Sequence, residues 1–128
     1  MISLDSAQCI NTANLPSGKP TIFIYFSPDC EHCQQEAKML LAHQKELHFL
    51  DIYMVTNGAL DEARKFYKVF RLDTVQNIFV VKDYEYSFYK VYLPPTTPFI
   101  AIYDGEKKLR KIYREEVTIN SIINSVRD

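Results

Sequence analysis

The stretch Ile22-Phe-Ile-Tyr-Phe-Ser-Pro-Asp-Cys-Glu-His-Cys-Gln-Gln-Glu36 decides how this chain is read. Ile22 to Phe26 is a continuous run of β-branched and aromatic residues, the pattern of a strand buried on both faces. Ser27-Pro28-Asp29 breaks it. From about Cys30 to Leu47 the period turns helical, with Ala37, Leu40, Leu41 and Leu47 on one face and Gln, Lys and Glu on the other. Cys30 and Cys33 therefore follow a buried strand and open an amphipathic helix. A helix N-terminus presents free backbone N–H groups and the positive end of the dipole, which favour a thiolate over a thiol. Cys30, at the very end, is the expected nucleophile. Cys33, one turn further in, is placed to attack a mixed disulfide and release its partner.

Two other uses of the pair stay open: a metal site, or a purely structural pair. Zinc takes four ligands, and only Cys9 and a histidine remain to complete a set, with no second C-x-x-C. No metal and no organic cofactor are expected. Between the cysteines, a partly protonated His32 stabilises a Cys30 thiolate, while Glu31 opposes it by like-charge repulsion. Glu36 lies one turn below Cys33. Facing the sulfurs and buried, it takes up the Cys33 proton during exchange; otherwise it is a carboxylate that favours the helix dipole.

Outward from this unit, Ser3 to Ala13 is a short helix at best, closed by the turn Pro16-Ser-Gly-Lys-Pro20. Phe49 to Val55 reads as a second buried strand ended by Asn57-Gly58, and Leu60 to Phe70 as a second amphipathic helix. Ile78 to Val81 is a third short strand, and Asp83 to Tyr92 a helix of weak helix formers. Three prolines between Pro94 and Pro98 demand a loop. Phe99 to Tyr103 is a strand, Asp104-Gly105 a hairpin turn, and Leu109 to Tyr113 its partner. Thr118 caps a closing helix whose Ile119, Ile122, Ile123 and Val126 share a stripe. The alternation argues for an α/β fold, a central mixed sheet flanked by helices.

With 128 residues, the chain is expected to be one domain, 1–18 as a lead-in and 19–128 as the core. Hydrophobic residues at 47% and charged residues at 24% exclude a disordered chain. A net charge of -1 leaves no electrostatic footprint for nucleic acid or anionic membrane. The longest uncharged apolar run, Thr21 to Pro28, is far short of the ~20 residues of a membrane helix. Three cysteines cannot build a multi-disulfide scaffold. No signal-peptide pattern opens the chain, so a cytoplasmic protein or a mature domain trimmed from a precursor is expected. His43 and His48 read as solvated or dipole-compensating, and Cys9 as a small buried or semi-exposed hydrophobe, with a regulatory thiol as the alternative. The aromatics Tyr84, Tyr86, Phe88, Tyr89 and Tyr92 read as core packing, with a client-binding surface as the alternative.

The strand–CEHC–helix unit, Thr97-Pro98 before a strand, and the final hairpin and helix together resemble the thioredoxin superfamily. The TlpA/ResA-like thiol-disulfide oxidoreductase branch is the nearer likeness. It often reads C-E-x-C-x-x-E, and this chain reads Cys30-Glu-His-Cys-Gln-Gln-Glu36. The resemblance runs from about Lys19 to the C-terminus. It implies CxxC at the start of the first main helix, a functional Glu36, and a cis peptide at Thr97-Pro98 that binds substrate backbone. It also implies a monomeric enzyme whose partners are protein thiol or disulfide clients and a recharging redox protein, placed in the periplasm or cell envelope. Asp29 and Ile24 stand where thioredoxin itself has Trp and a buried Asp. A thioredoxin-like binding module with a redox-sensitive structural disulfide is the alternative from another class. A peroxiredoxin-like peroxidase is less favoured, because its P-x-x-x-[T/S]-x-x-C pattern meets Ser27 but has Phe23 in place of the proline.

Overall fold

The computed structural model describes residues 2–3, 18–83, 86–115 and 117–126. Its elements in chain order are β1 (Ile2–Ser3), β2 (Thr21–Tyr25), α1 (Glu31–Ala42), β3 (Asp51–Thr56), α2 (Leu60–Val69), β4 (Ile78–Lys82), α3 (Ser87–Tyr92), β5 (Phe99–Tyr103), β6 (Leu109–Tyr113) and α4 (Ile119–Ser125). A 3-10 turn, Leu72–Thr74, joins α2 to β4. The strands form one mixed sheet in the order β1-β4-β3-β2-β5-β6. β2, β3 and β4 are parallel; β5, β6 and β1 run antiparallel to their neighbours.

Strand β2 is central and buried along its whole length, as its unbroken apolar run demands. Its alternate side chains feed two cores. Ile22, Ile24 and Phe26 point into a cluster with Cys33, Ala37 and Leu40 of α1, Phe66 and Tyr67 of α2, and Ile122 of α4. Phe23 and Tyr25 point to the opposite face, where Phe88 of α3 closes a second cluster with Phe99. The steps from β2 to β3 and β3 to β4 move the same way across the sheet, so right-handed crossovers put α1 and α2 on one face. The β4-to-β5 connection returns across the sheet, and α3 lies on the other face.

Several boundaries differ from the sequence expectation for tertiary reasons. Helix α1 ends at Ala42 instead of Leu47. Turns follow over residues 43–49, and Asn77 Nδ2 donates to the carbonyls of Leu47 and Leu50 at 2.8 and 2.6 Å. β3 accordingly begins at Asp51 rather than Phe49. Helix α3 begins at Ser87 rather than Asp83, because buried Asp83 stays outside it and accepts the Phe88 N–H at 2.8 Å. Ser3, expected to start a helix, pairs as strand with Val81; the rest of the lead-in helix and Cys9 lie outside the described residues.

The hairpin loop spans Asp104 to Lys108 rather than two residues, with Lys107 at φ 65°. Asp104 Oδ1 accepts the N–H groups of Glu106 and Lys108, which holds the longer loop closed. Gly105 is packed against Gly18, where a Cβ would stand 3.2 Å from the Gly18 carbonyl carbon. Gly18 itself has φ +87° and donates its N–H to Gly105 O at 2.7 Å. Thr118 caps α4 as expected, its Oγ1 accepting the Ser121 N–H at 3.2 Å.

Candidate active site

The cysteines sit at the C-terminal end of β2, where a turn delivers the chain into α1. The Cys30 N–H donates to Ser27 O at 3.0 Å, closing that turn over Pro28 and Asp29. Gln34 Nε2 reaches back to Pro28 O at 3.1 Å. Cys30 is then the N-cap of α1, with φ -78° and ψ 117°. Serine or aspartate caps are common because a side-chain acceptor meets a free N–H of the first turn. Here a sulfur takes that place: Cys30 Sγ accepts the Cys33 N–H at 3.2 Å.

Both cysteines are free thiols; Cys30 is half-buried and Cys33 fully buried. Their environments separate their acidities. Partial burial pushes the Cys30 thiol up, but hydrogen bonds from the Cys33 and Thr97 side chains and from the Cys33 and His32 backbone N–H groups outweigh it. The net shift of Cys30 is downward. Burial pushes the Cys33 thiol up to about 12, reinforced by its hydrogen bond to Cys30 and by the neighbouring sulfur's charge. The Ser27 N–H and the Thr97 side chain offset only part of that rise.

Thr97 and Pro98 come to the sulfurs from the loop before β5. The Thr97-Pro98 peptide is cis, and Cys30 Sγ lies 3.6 Å from Thr97 O as a donor to it. Thr97 is half-buried and Pro98 buried. The segment therefore joins the cysteines, although 67 positions separate Thr97 from Cys30.

Glu36 is 1% exposed, on the α1 face that also buries Cys33, Ala37 and Leu40. Its Oε1 accepts the Val117 N–H at 2.8 Å, which ties α1 to the segment that leads into α4. Nothing in the local pattern around Glu36 signals that contact, since Val117 is 81 positions away. Glu31 and His32 are exposed at the helix start. His43 pairs with Glu46 at 3.2 Å and His48 meets Lys45 O at 2.7 Å, both beyond the end of α1. Of the aromatic group, Phe88 is buried and stacks on Tyr25 with ring centroids 5.7 Å apart, while Tyr86 and Tyr89 are exposed. Tyr84 lies outside the described residues. Among the described residues, no three His, Cys, Asp or Glu side chains are grouped to hold a metal ion, and no helix is long and apolar enough to cross a membrane.

No protein-family model and no curated protein matches the sequence. Solved structures do match. DsbF of Mycobacterium tuberculosis superposes with a TM-score of 0.80 over 97% of this chain and 89% of its own, at 17% identity. A secreted M. tuberculosis disulfide oxidoreductase homologous to Escherichia coli DsbE gives 0.74 over 91% and 83%, at 18% identity. A peroxiredoxin-like protein from Aquifex aeolicus gives 0.73 over 96% and 78%, also at 18% identity. The chain has the thioredoxin-like fold, with Cys30 and Cys33 at the start of its first main helix.

Proposed function

We propose that this protein is a thiol-disulfide oxidoreductase in which Cys30 is the nucleophile and Cys33 the resolving thiol. The observation that carries the reading is the asymmetry of the pair. Cys30 caps α1, half-exposed and acidified, while Cys33 is buried with its thiol pushed up to about 12. The fold likeness to disulfide oxidoreductases adds support.

In the reducing direction the Cys30 thiolate attacks one sulfur of a client disulfide, and the other client sulfur leaves as a thiolate. Cys33 then loses its proton and attacks Cys30 Sγ. The bond between Cys30 and the client breaks, and the client's second thiolate departs. The client gains two electrons, and the protein is left with a Cys30–Cys33 disulfide that a redox partner protein must reduce. Glu36, buried on the Cys33 face of α1, is the group that takes up the Cys33 proton. Thr97 and Pro98 bind the client backbone beside Cys30, and Glu31 and His32 set the redox poise from the exposed helix start. Residues 1–128 act as a single thioredoxin-like domain, 1–18 as the lead-in and 19–128 as the core, monomeric, with protein thiol or disulfide clients and no cofactor.

Insulin reduction with dithiothreitol as the recharging agent tests the reading. Wild type is expected to accelerate the reaction, and Cys30→Ser to abolish the acceleration. Equal inactivity of the two would leave a binding module with a structural pair. The likeness to a peroxiredoxin-like protein defines the second reading, a thiol peroxidase. Hydrogen peroxide consumption that depends on Cys30 and exceeds disulfide turnover would favour it.

A further inference from the structure

The end of the sheet that carries Cys30 bears opposite charges on its two sides. β2 ends and β5 begins side by side, with Tyr25 paired to Phe99, and β6 runs back to finish beside the start of β5. Arg114, the residue after β6, therefore stands at the same end of the sheet as Cys30. Two contacts fix it there. Its carbonyl accepts the Thr96 hydroxyl at 3.3 Å, and its guanidinium carbon lies 5.9 Å from the centroid of the Phe99 ring. Thr96 and Phe99 bracket the Thr97-Pro98 peptide, and the Thr97 carbonyl is 3.6 Å from Cys30 Sγ. Phe99 belongs to the core that α3 closes, whereas α1 packs on the opposite face of the sheet. Exposed Asp29 and Glu31 thus flank Cys30 at the start of α1, while exposed Arg114 lies toward the α3 face.

We propose that Arg114 selects clients: its guanidinium, held beside the Thr97 segment, pairs with an acidic side chain close in sequence to the client cysteine under attack. The inference rests on the reading of Cys30 as the nucleophile and of Thr97 and Pro98 as the client's backbone partners. A guanidinium laid over an aromatic ring keeps its N–H donors in its own plane, where they can meet a carboxylate in bidentate fashion. No ion pair among the described residues involves Arg114. Phe99 lies two residues beyond Thr97, and an extended client advances about 3.3 Å per residue. A side chain two positions from the client cysteine therefore comes level with the ring that carries the guanidinium. The other arm of a client laid across this end of the sheet passes Asp29 and Glu31, where a carboxylate is repelled. Selection is for a carboxylate on one side of the cysteine only.

The test uses four short peptides, each with one cysteine activated as its neutral 2-pyridyl disulfide. Glu or Gln stands two residues before the cysteine or two residues after it. Cys30 attacks the cysteine sulfur to form the mixed disulfide, and pyridine-2-thiolate leaves and takes up a proton as 2-thiopyridone. Its absorbance gives the second-order rate for the reduced protein, from which the rate of Cys30→Ser is subtracted. At one of the two positions the Glu peptide is expected to react about two- to fivefold faster than its Gln twin at low salt, the range of an exposed charge pair. The advantage should fade at about 0.5 M NaCl. Arg114→Met, which keeps an apolar chain over Phe99, should bring the ratio to about one, and Arg114→Glu should invert it. A wild-type ratio of one at both positions overturns the proposal, as does an equal Glu advantage at both or an advantage that survives in Arg114→Met. Should either variant fail to fold by circular dichroism, the other decides alone. A wild type no faster than Cys30→Ser would overturn the functional reading together with this inference. Fast release that depends on Cys30 but ignores the peptide's charge would overturn the inference only.

Discussion

Alkylation of the reduced protein should discriminate sharply between the two cysteines, and the size of the effect can be worked out. The Cys33 thiol is pushed up to about 12 by burial, and Cys30 lies below the ordinary 9.0. At pH 7 the thiolate fraction of Cys33 is then about 10⁻⁵ and that of Cys30 above about 10⁻², a ratio of at least ~1,000. A more basic thiolate is the better nucleophile, and a Brønsted coefficient of about 0.4–0.5 returns roughly 15–30-fold of that advantage to Cys33. The net preference for Cys30 is at least ~30–60-fold before access is counted. Access acts in the same direction, because Cys33 is 0% exposed. The assay is iodoacetamide at pH 7 with dithiothreitol removed, quenched over time and read on separate peptides so that Cys9 is scored independently. Modification of Cys30 should be complete while Cys33 remains a few per cent labelled. Comparable rates at the two positions would refute both the acidity difference and the assignment of roles.

Three further outcomes follow from the same geometry. Because burial raises the Cys33 thiol in the folded state, its stabilising contribution is present below the unfolded value of 9.0 and is lost as pH rises toward about 12. Urea melts of the reduced protein should lose up to ~1.4 kcal/mol per pH unit across that window relative to Cys33→Ala. The comparison is needed because burial also raises Tyr25, Tyr53 and Tyr103, which act in the same sense above pH 10.0. Glu36→Gln keeps an acceptor for the Val117 N–H, so stability should hold within ~1 kcal/mol, while loss of the charge moves the thiol titration to lower pH. An unchanged thiol titration would return Glu36 to a purely structural tie between α1 and the lead into α4. Asn77→Ala strips the shared donor from Leu47 O and Leu50 O and should cost about 1–3 kcal/mol in denaturant midpoint analysis without altering Cys30 alkylation.

What the sequence makes legible is whatever its neighbours in the chain decide. The buried strand at Ile22–Phe26, the Thr118 cap and the strands on either side of Asp104 each carry a local signal, and each is present. The end of α1 is not legible, because its apolar pattern runs on to Leu47 while the chain turns after Ala42 and hands the Leu47 and Leu50 carbonyls to Asn77, 30 and 27 positions later. The start of α3 fails for a related reason: Asp83 looks like a first helical residue and instead serves as an acceptor for Phe88 N–H from outside the helix. The same division runs through the site. C-x-x-C after a buried strand places both sulfurs at a helix start by local rules alone. Their acidities, however, are set partly by groups that no local pattern connects to them, among them the Thr97 side chain, which lowers both thiols. A CxxC motif therefore reports the position of the chemistry, and the loops folded over it determine its strength. The turn before Cys30, the Thr97 segment and the exposed side chains of Glu31 and His32 at the start of α1 are the parts of this site that substitution can adjust.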